Sequence, residues 1–149
     1  MAEITVSADF DAPPSAVWRV LEPVERHVDW MADARAIRFE TSQRRGVGTR
    51  YTCATTIGPL RLDDQMEITA WEPERAMGVR HHGVVTGTGR FELAPLDGGR
   101  RTRFTWREEL RFPWWLGGRF AARLGGTAVL RRLWRGNLNR LRLLVERAP

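Results

Sequence analysis

Glu108 is hard to explain by packing alone. It falls in the alternation Thr102, Phe104, Trp106, Glu108, Leu110, whose large neighbours are apolar. An acid on such a face is paired, protonated, or set at a strand end in water. Inside a cavity, a carboxyl with a raised pKa suits general acid/base work. His81 has the same character, in phase with Met77 and Val79. Simple hairpin pairing puts His81 beside Met66 on one neighbour and Gly89 on the other, and Glu108 beside Gly87. Tyr51, Cys53 and Asp64 approach from the opposite side, so one belt gathers His81, Glu108, Asp64 and Tyr51. With Glu108 and His81 as the catalytic pair, such a belt would protonate a carbonyl or remove a proton next to one. That is the chemistry of an aldol-type cyclisation or dehydration. The plain alternatives are a solvated or Arg-paired Glu108 at a mouth and a hydrogen-bonded structural His81.

Other chemistries find less support. All 24 basic residues are Arg, and the absence of Lys removes Schiff-base and pyridoxal-phosphate chemistry. His81 and His82 are adjacent on a strand and point to opposite faces, with His82 outward, so they do not chelate together. With His27 distant and a single Cys, no spacing matches a metal site, and no metal is expected. Cys53 carries no nucleophile signature and reads as packing. The Gly-rich stretch 83–89 joins two strands and opens no helix, so no dinucleotide or other cofactor is expected.

The elements that must hold these residues follow from the pattern. Residues 3–10 alternate as a strand. Asp11 is placed to cap the next turn, and Pro13 and Pro14 suit a first helical turn. Val17, Trp18, Val20 and Leu21 form that helix's apolar side, Pro23 ends it, and a second short helix covers 24–30. Strands are expected over 36–41, 49–57, 60–71, 75–83, 87–96 and 100–112, with Asp97-Gly98-Gly99 as a hairpin signal. The tail, 118–146, reads as an amphipathic helix with Phe120, Leu124, Ala128, Trp134, Leu138, Leu141 and Val145 on its stripe. Arg119, Arg123, Arg132, Arg135 and Arg142 lie largely off it. Gly117-Gly118 and Gly125-Gly126 weaken its start, so the continuous part begins near Thr127.

This order predicts an α+β architecture. One long helix after a curved antiparallel sheet of six to seven strands lies across the concave face, with two short helices after the first strand as its support. The space between helix and sheet is a pocket. Its expected lining is Tyr51, Cys53, Asp64, Met66, Val79, Phe91, Phe104, Trp106, Trp134 and Leu138. Among the seven Trp residues, Trp18, Trp106 and Trp134 fall on apolar faces, and a flat aromatic wall suits a ring-shaped ligand. Trp114-Trp115, beside Arg111 and Arg119, reads as a lid over the cavity or as an interfacial anchor.

At 149 residues the chain is expected to form one domain, 1–149, with a core large enough to need no disulfide. No leader-like stretch and no apolar run of about 18 residues is present, and with one Cys a cytoplasmic setting is expected. The formal net charge of +6 is read as a solvated Arg-rich surface. Nucleic-acid binding ranks last, because no recognition motif or stacking strand accompanies the Arg residues.

The residues Ile4 through Trp18, the strand entry Gly48-Thr49-Arg50-Tyr51, the segment Glu67 through Pro73, the Gly98-Gly99-Arg100-Arg101-Thr102 hairpin and the final helix carry a resemblance. Over essentially the whole chain they resemble the START-like superfamily. The closer likeness is to its SRPBCC group of polyketide cyclase/dehydrase and lipid-transport proteins. The resemblance implies the helix-grip fold and a cavity for lipids, sterols, polyketides, hormones or other apolar ligands. It does not choose between a carrier or sensor and a cyclase or dehydratase. The expected partner is a hydrophobic small molecule. Peripheral membrane contact stays open, as does the choice of monomer or homodimer.

Overall fold

The computed structural model describes residues 2–115 and 127–148. Strand β1 (Ala2–Phe10) alternates as its sequence requires and buries Ile4, Val6 and Phe10. Helix α1 (Pro14–Leu21) buries Val17, Trp18 and Leu21. Pro14 costs its first turn nothing, because that position has no intrahelical N–H partner. Asp11 does not cap this helix. Pro13 stands at the cap and offers only its carbonyl, to Ala16 and Val17 N–H. Asp11 instead pairs with Arg101, while its backbone N–H donates to Glu146. The second short helix is a 3-10 segment, Val24–Asp29.

Six strands follow in sequence: β2 (Ala34–Phe39), β3 (Arg50–Ile57), β4 (Leu60–Glu72), β5 (Ala76–His82), β6 (Thr86–Leu96) and β7 (Arg101–Arg111). Each pairs antiparallel with the next, and β1 closes on β7. The seven-stranded sheet therefore runs β1-β7-β6-β5-β4-β3-β2. Helix α2 (Thr127–Arg147) packs on β1 and α1. This is the helix-grip fold. No helix among the described residues is long and apolar enough to cross a membrane.

The site depends most on β7. Thr102, Phe104, Trp106, Glu108 and Leu110 are all buried, while Arg103, Arg107, Glu109 and Arg111 are exposed. Between β6 and β7 the chain turns at Asp97, Gly98 and Gly99, all at positive φ, where glycine carries no Cβ penalty. Gly87, at φ 133°, brings β6 so close to β7 that a Cβ there would strike the Glu109 carbonyl. On α2 the buried stripe is Leu130, Trp134, Asn137, Leu138, Leu141 and Val145. Phe120, Leu124, Arg119, Arg123 and the Gly117-Gly118 and Gly125-Gly126 pairs lie outside the described residues.

Candidate functional site

A cavity of about 110 Å³ lies beneath Leu130 and Trp134 of α2, bounded by the inner faces of β2 to β7. Period-2 alternation brings inward residues from adjacent strands to one level. Cys53 pairs with Asp64 and Tyr51 with Met66 across β3 and β4. Met66 pairs with His81 across β4 and β5. On the far side His81 lies opposite Gly87, and Glu108 lies opposite Gly89. The simple-hairpin expectation reversed those two glycines. The β5–β6 connection is the three residues after His82, so the strands slide by two positions. A slip of two keeps every side chain on its face.

Three of these residues form one hydrogen-bonded chain. His81 Nδ1 donates to Asp64 at 3.0 and 3.1 Å, and Nε2 donates to Glu108 Oε2 at 2.9 Å. The other Glu108 oxygen accepts from Trp106 Nε1–H at 2.9 Å. Carboxylates only accept, so both imidazole nitrogens carry hydrogen and the ring is a cation. Burial opposes that charge, but the hydrogen bonds and charges of Asp64 and Glu108 override it and push the His81 pKa up to about 10. Glu108 is 6% exposed, so it belongs to the buried wall and not to a solvated mouth.

The rest of the wall is largely apolar. Trp106 and Trp134 stack at 4.8 Å and 18°. Phe91 and Trp30 meet Trp106 edge-on. Val79, Met66, Leu62 and Ile37 complete much of the remainder. The Tyr51 hydroxyl donates to Met66 Sδ and stays outside the charged chain. Burial, then the Cys53 thiol and the nearby carboxylates, raise its pKa well above that of an ordinary phenol. Cys53 is pushed up to about 11 by burial, which leaves it a thiol and a poor nucleophile near pH 7.

Of the residues expected at the cavity, Tyr51, Cys53, Asp64, Met66, Val79, His81, Phe91, Trp106, Glu108 and Trp134 line it. Phe104 and Leu138 do not. They are buried in the adjoining core, where Phe104 packs on Phe10 and Phe91. Trp114 and Trp115 are exposed at 91% and 55%, outside the lining, and Phe112 stands at the wall instead. The lid expected at these Trp residues is therefore not where they sit.

Three polar residues of this region escaped the sequence reading. Asn137 is fully buried. Its Oδ1 accepts from Ala32 N–H and Arg140 Nη2, and its Nδ2 donates to Asp33 Oδ1. It thus fastens α2 to the segment before β2. A polar residue inside an apolar helical stripe was a visible signal for it, of the same kind that drew attention to Glu108. Asp33 lines the cavity from the irregular segment before β2, and His27 from the 3-10 segment Val24–Asp29, which is too short for a period to mark its inward side chain.

The sequence profile described as polyketide cyclase / dehydrase and lipid transport matches residues 1–146. The chain belongs to this family. No curated protein matches the sequence. Among solved structures, TTHA0849 of Thermus thermophilus is similar with a TM-score of 0.81 at 16% identity, covering 97% of each chain. The Zhui aromatase/cyclase of Streptomyces sp. R1128 is similar with a TM-score of 0.76 at 18% identity, covering 98% of this chain and 94% of that one. At such identities the likeness is one of fold. The family fold is a ligand-binding one of the polyketide cyclase/dehydrase type.

Proposed function

We propose that this family member binds a hydrophobic or aromatic small molecule between sheet and α2, as a carrier or sensor. The observation that carries this reading is an apolar cavity whose buried ionic chain is satisfied by its own members. His81 is already protonated near pH 7 and cannot act as a base there. At a pKa of about 10 it is also a weak acid for that pH. Both its N–H groups are held by carboxylates, so neither is free to stabilise an oxyanion. In this reading Asp64, His81 and Glu108 shape and polarise the wall. Tyr51, Cys53, Met66, Val79, Phe91, Trp106 and Trp134 contact the ligand, and Phe104 and Leu138 back them from the core.

A second reading is a cyclase or dehydratase using His81 and Glu108. It draws on the placement of a His–carboxylate pair in the cavity wall and on the aromatase/cyclase among the similar folds. Incubation of the protein with a bound ligand, followed by extraction, separates the two. The carrier reading expects the same molecule back from the wild type, Glu108→Gln and His81→Ala. A product formed by the wild type and lost in His81→Ala would replace it with the enzyme reading.

A further inference from the structure

Among the described residues, the side-chain hydrogen-bonding capacity left open on the cavity wall is of one kind. His27 is 3% exposed and lines the cavity. Its Nε2–H donates to the Leu21 carbonyl at 2.8 Å, because a carbonyl only accepts. Burial keeps the ring neutral, with a pKa of about 4. Nδ1 is therefore a lone-pair acceptor, with no partner among the described residues. One oxygen of Asp33 is taken by Asn137, and the other has no partner among the described residues. Tyr51 directs its hydrogen to Met66, which leaves its oxygen an acceptor. The side-chain donors among the described lining residues are occupied or out of reach. Both His81 N–H groups hold carboxylates, and the Thr55 hydroxyl turns to Cys53. Trp134 Nε1 lacks a partner but is itself buried away from the open space.

Charge points the same way. Among the described residues the wall carries Asp33, Asp64 and Glu108, with Asp63 at the rim, against the single cation His81. No Arg stands among them, although the chain's formal net charge is +6. Strand alternation does the sorting: Arg61, Arg80 and Arg107 are exposed on the outer face, while Asp64, His81 and Glu108 point in.

We infer that the cavity takes an apolar or aromatic amine in its protonated form, an ammonium whose hydrogens meet the open acceptors of Asp33, His27 and Tyr51 and whose charge is favoured by the Asp64 and Glu108 carboxylates in the same wall. The inference rests on the binding reading above and narrows its ligand class. A carboxylate or phosphate entering this space would lose its water and meet like charge. A ligand bearing only carbonyls would bring acceptors to acceptors and leave both sides unpaired. An ammonium on a ring brings the missing hydrogens, and the ring meets the Trp106–Trp134 wall.

Isothermal titration at pH 7 with three single-ring probes of matched shape tests this: 2-phenylethylammonium, 2-phenylethanol and phenylacetate. The expected order is cation, then alcohol, then anion, with the cation ahead of the alcohol by about tenfold or more. Asp33→Asn in the half-buried part of the wall and Glu108→Gln deep in it should each weaken the cation severalfold and the alcohol by a smaller factor, so that the ratio of the two affinities falls. Both variants are first checked for a native circular-dichroism spectrum, and Asp33→Asn carries the test if Glu108→Gln does not fold. Phenylacetate binding as tightly as the cation overturns the inference, as does an alcohol that matches it; the binding reading survives both results. If none of the three binds, the binding reading falls and takes this inference with it.

Discussion

Replacing Glu108 by Gln removes one of the two charges that hold His81 as a cation and leaves the other, Asp64, in place. The His81 Nε2···Oε2 distance is 2.9 Å and both side chains are 8% exposed, so solvent screens the pair weakly. A unit charge pair at about 4 Å is worth roughly 4 kcal/mol at an effective dielectric of about 20, and one pKa unit is about 1.4 kcal/mol. That sets an upper bound near 3 units, within the range of about 1–3 units expected for one opposite charge. We expect the His81 pKa to fall by about 2 units in Glu108→Gln. The amide also turns an NH2 toward either His81 or Trp106, both of which donate to Glu108 in the wild type. Imidazole resonances followed by NMR from pH 5 to 11 read the shift directly. The linked stability change has a definite sign. Because the folded pKa is raised, from 6.5 to about 10, the stabilisation is complete below pH 6.5 and is lost as pH rises through 10. Urea melts should therefore show the gap between wild type and variant widest near neutral pH and closing toward pH 10. A His81 that titrates near 6.5 in the wild type, or identically in the variant, would mean that the Glu108 carboxylate does not hold it as a cation.

Other consequences can be measured in parallel. A Cβ at position 89 would stand 2.5 to 2.7 Å from the Glu108 carboxyl atoms, so Gly89→Ala must displace that carboxylate. Differential scanning calorimetry should show a loss of about 1–3 kcal/mol, accompanied by a lower His81 pKa; a neutral substitution would mean that the carboxylate has room to retreat. His27 is depressed from 6.5 to about 4 by burial, so it stabilises the fold fully above pH 6.5 and loses that contribution as pH falls toward 4. The loss amounts to about 3 kcal/mol, and urea melts at pH 7 and pH 4 should show it in the wild type but not in His27→Gln. Asn137→Leu removes the partners of Ala32 N–H, Asp33 and Arg140. It should cost about 1–3 kcal/mol and speed amide exchange at Ala32; unchanged exchange there would show that the staple is unimportant.

Much of this arrangement could be read from period and position alone. The β7 alternation reported which residues face inward, and the same rule drew Glu108, His81 and Asp64 to one face before any register was known. Their mutual hydrogen bonding depended on how the strands slide, and a two-residue error left the face unchanged while moving each glycine partner. The state of the chain was less accessible. Whether His81 is a free base or a clamped cation is decided by two carboxylates meeting its two nitrogens, which no single strand encodes. Asp33 sits on an irregular segment and His27 on a 3-10 segment of 6 residues, too short to show a period, so their inward placement is a tertiary outcome. Asp11 has the residue type of a cap, but Arg101 on β7 claims its side chain. Trp114 and Trp115 show that aromatic content before a helix does not decide which way the rings turn.

In the binding reading, the cavity under Trp134 holds an apolar or aromatic small molecule. Native mass spectrometry of protein purified from its own host tests it most directly, run beside Val79→Trp, which fills the space from β5. The wild type should carry an extra mass that is released by organic solvent, identifies as an apolar or aromatic compound, and is missing from Val79→Trp. An apo mass for the wild type, with no thermal shift from a panel of hydrophobic ligands, or a ligand retained unchanged by the filled variant, would contradict it.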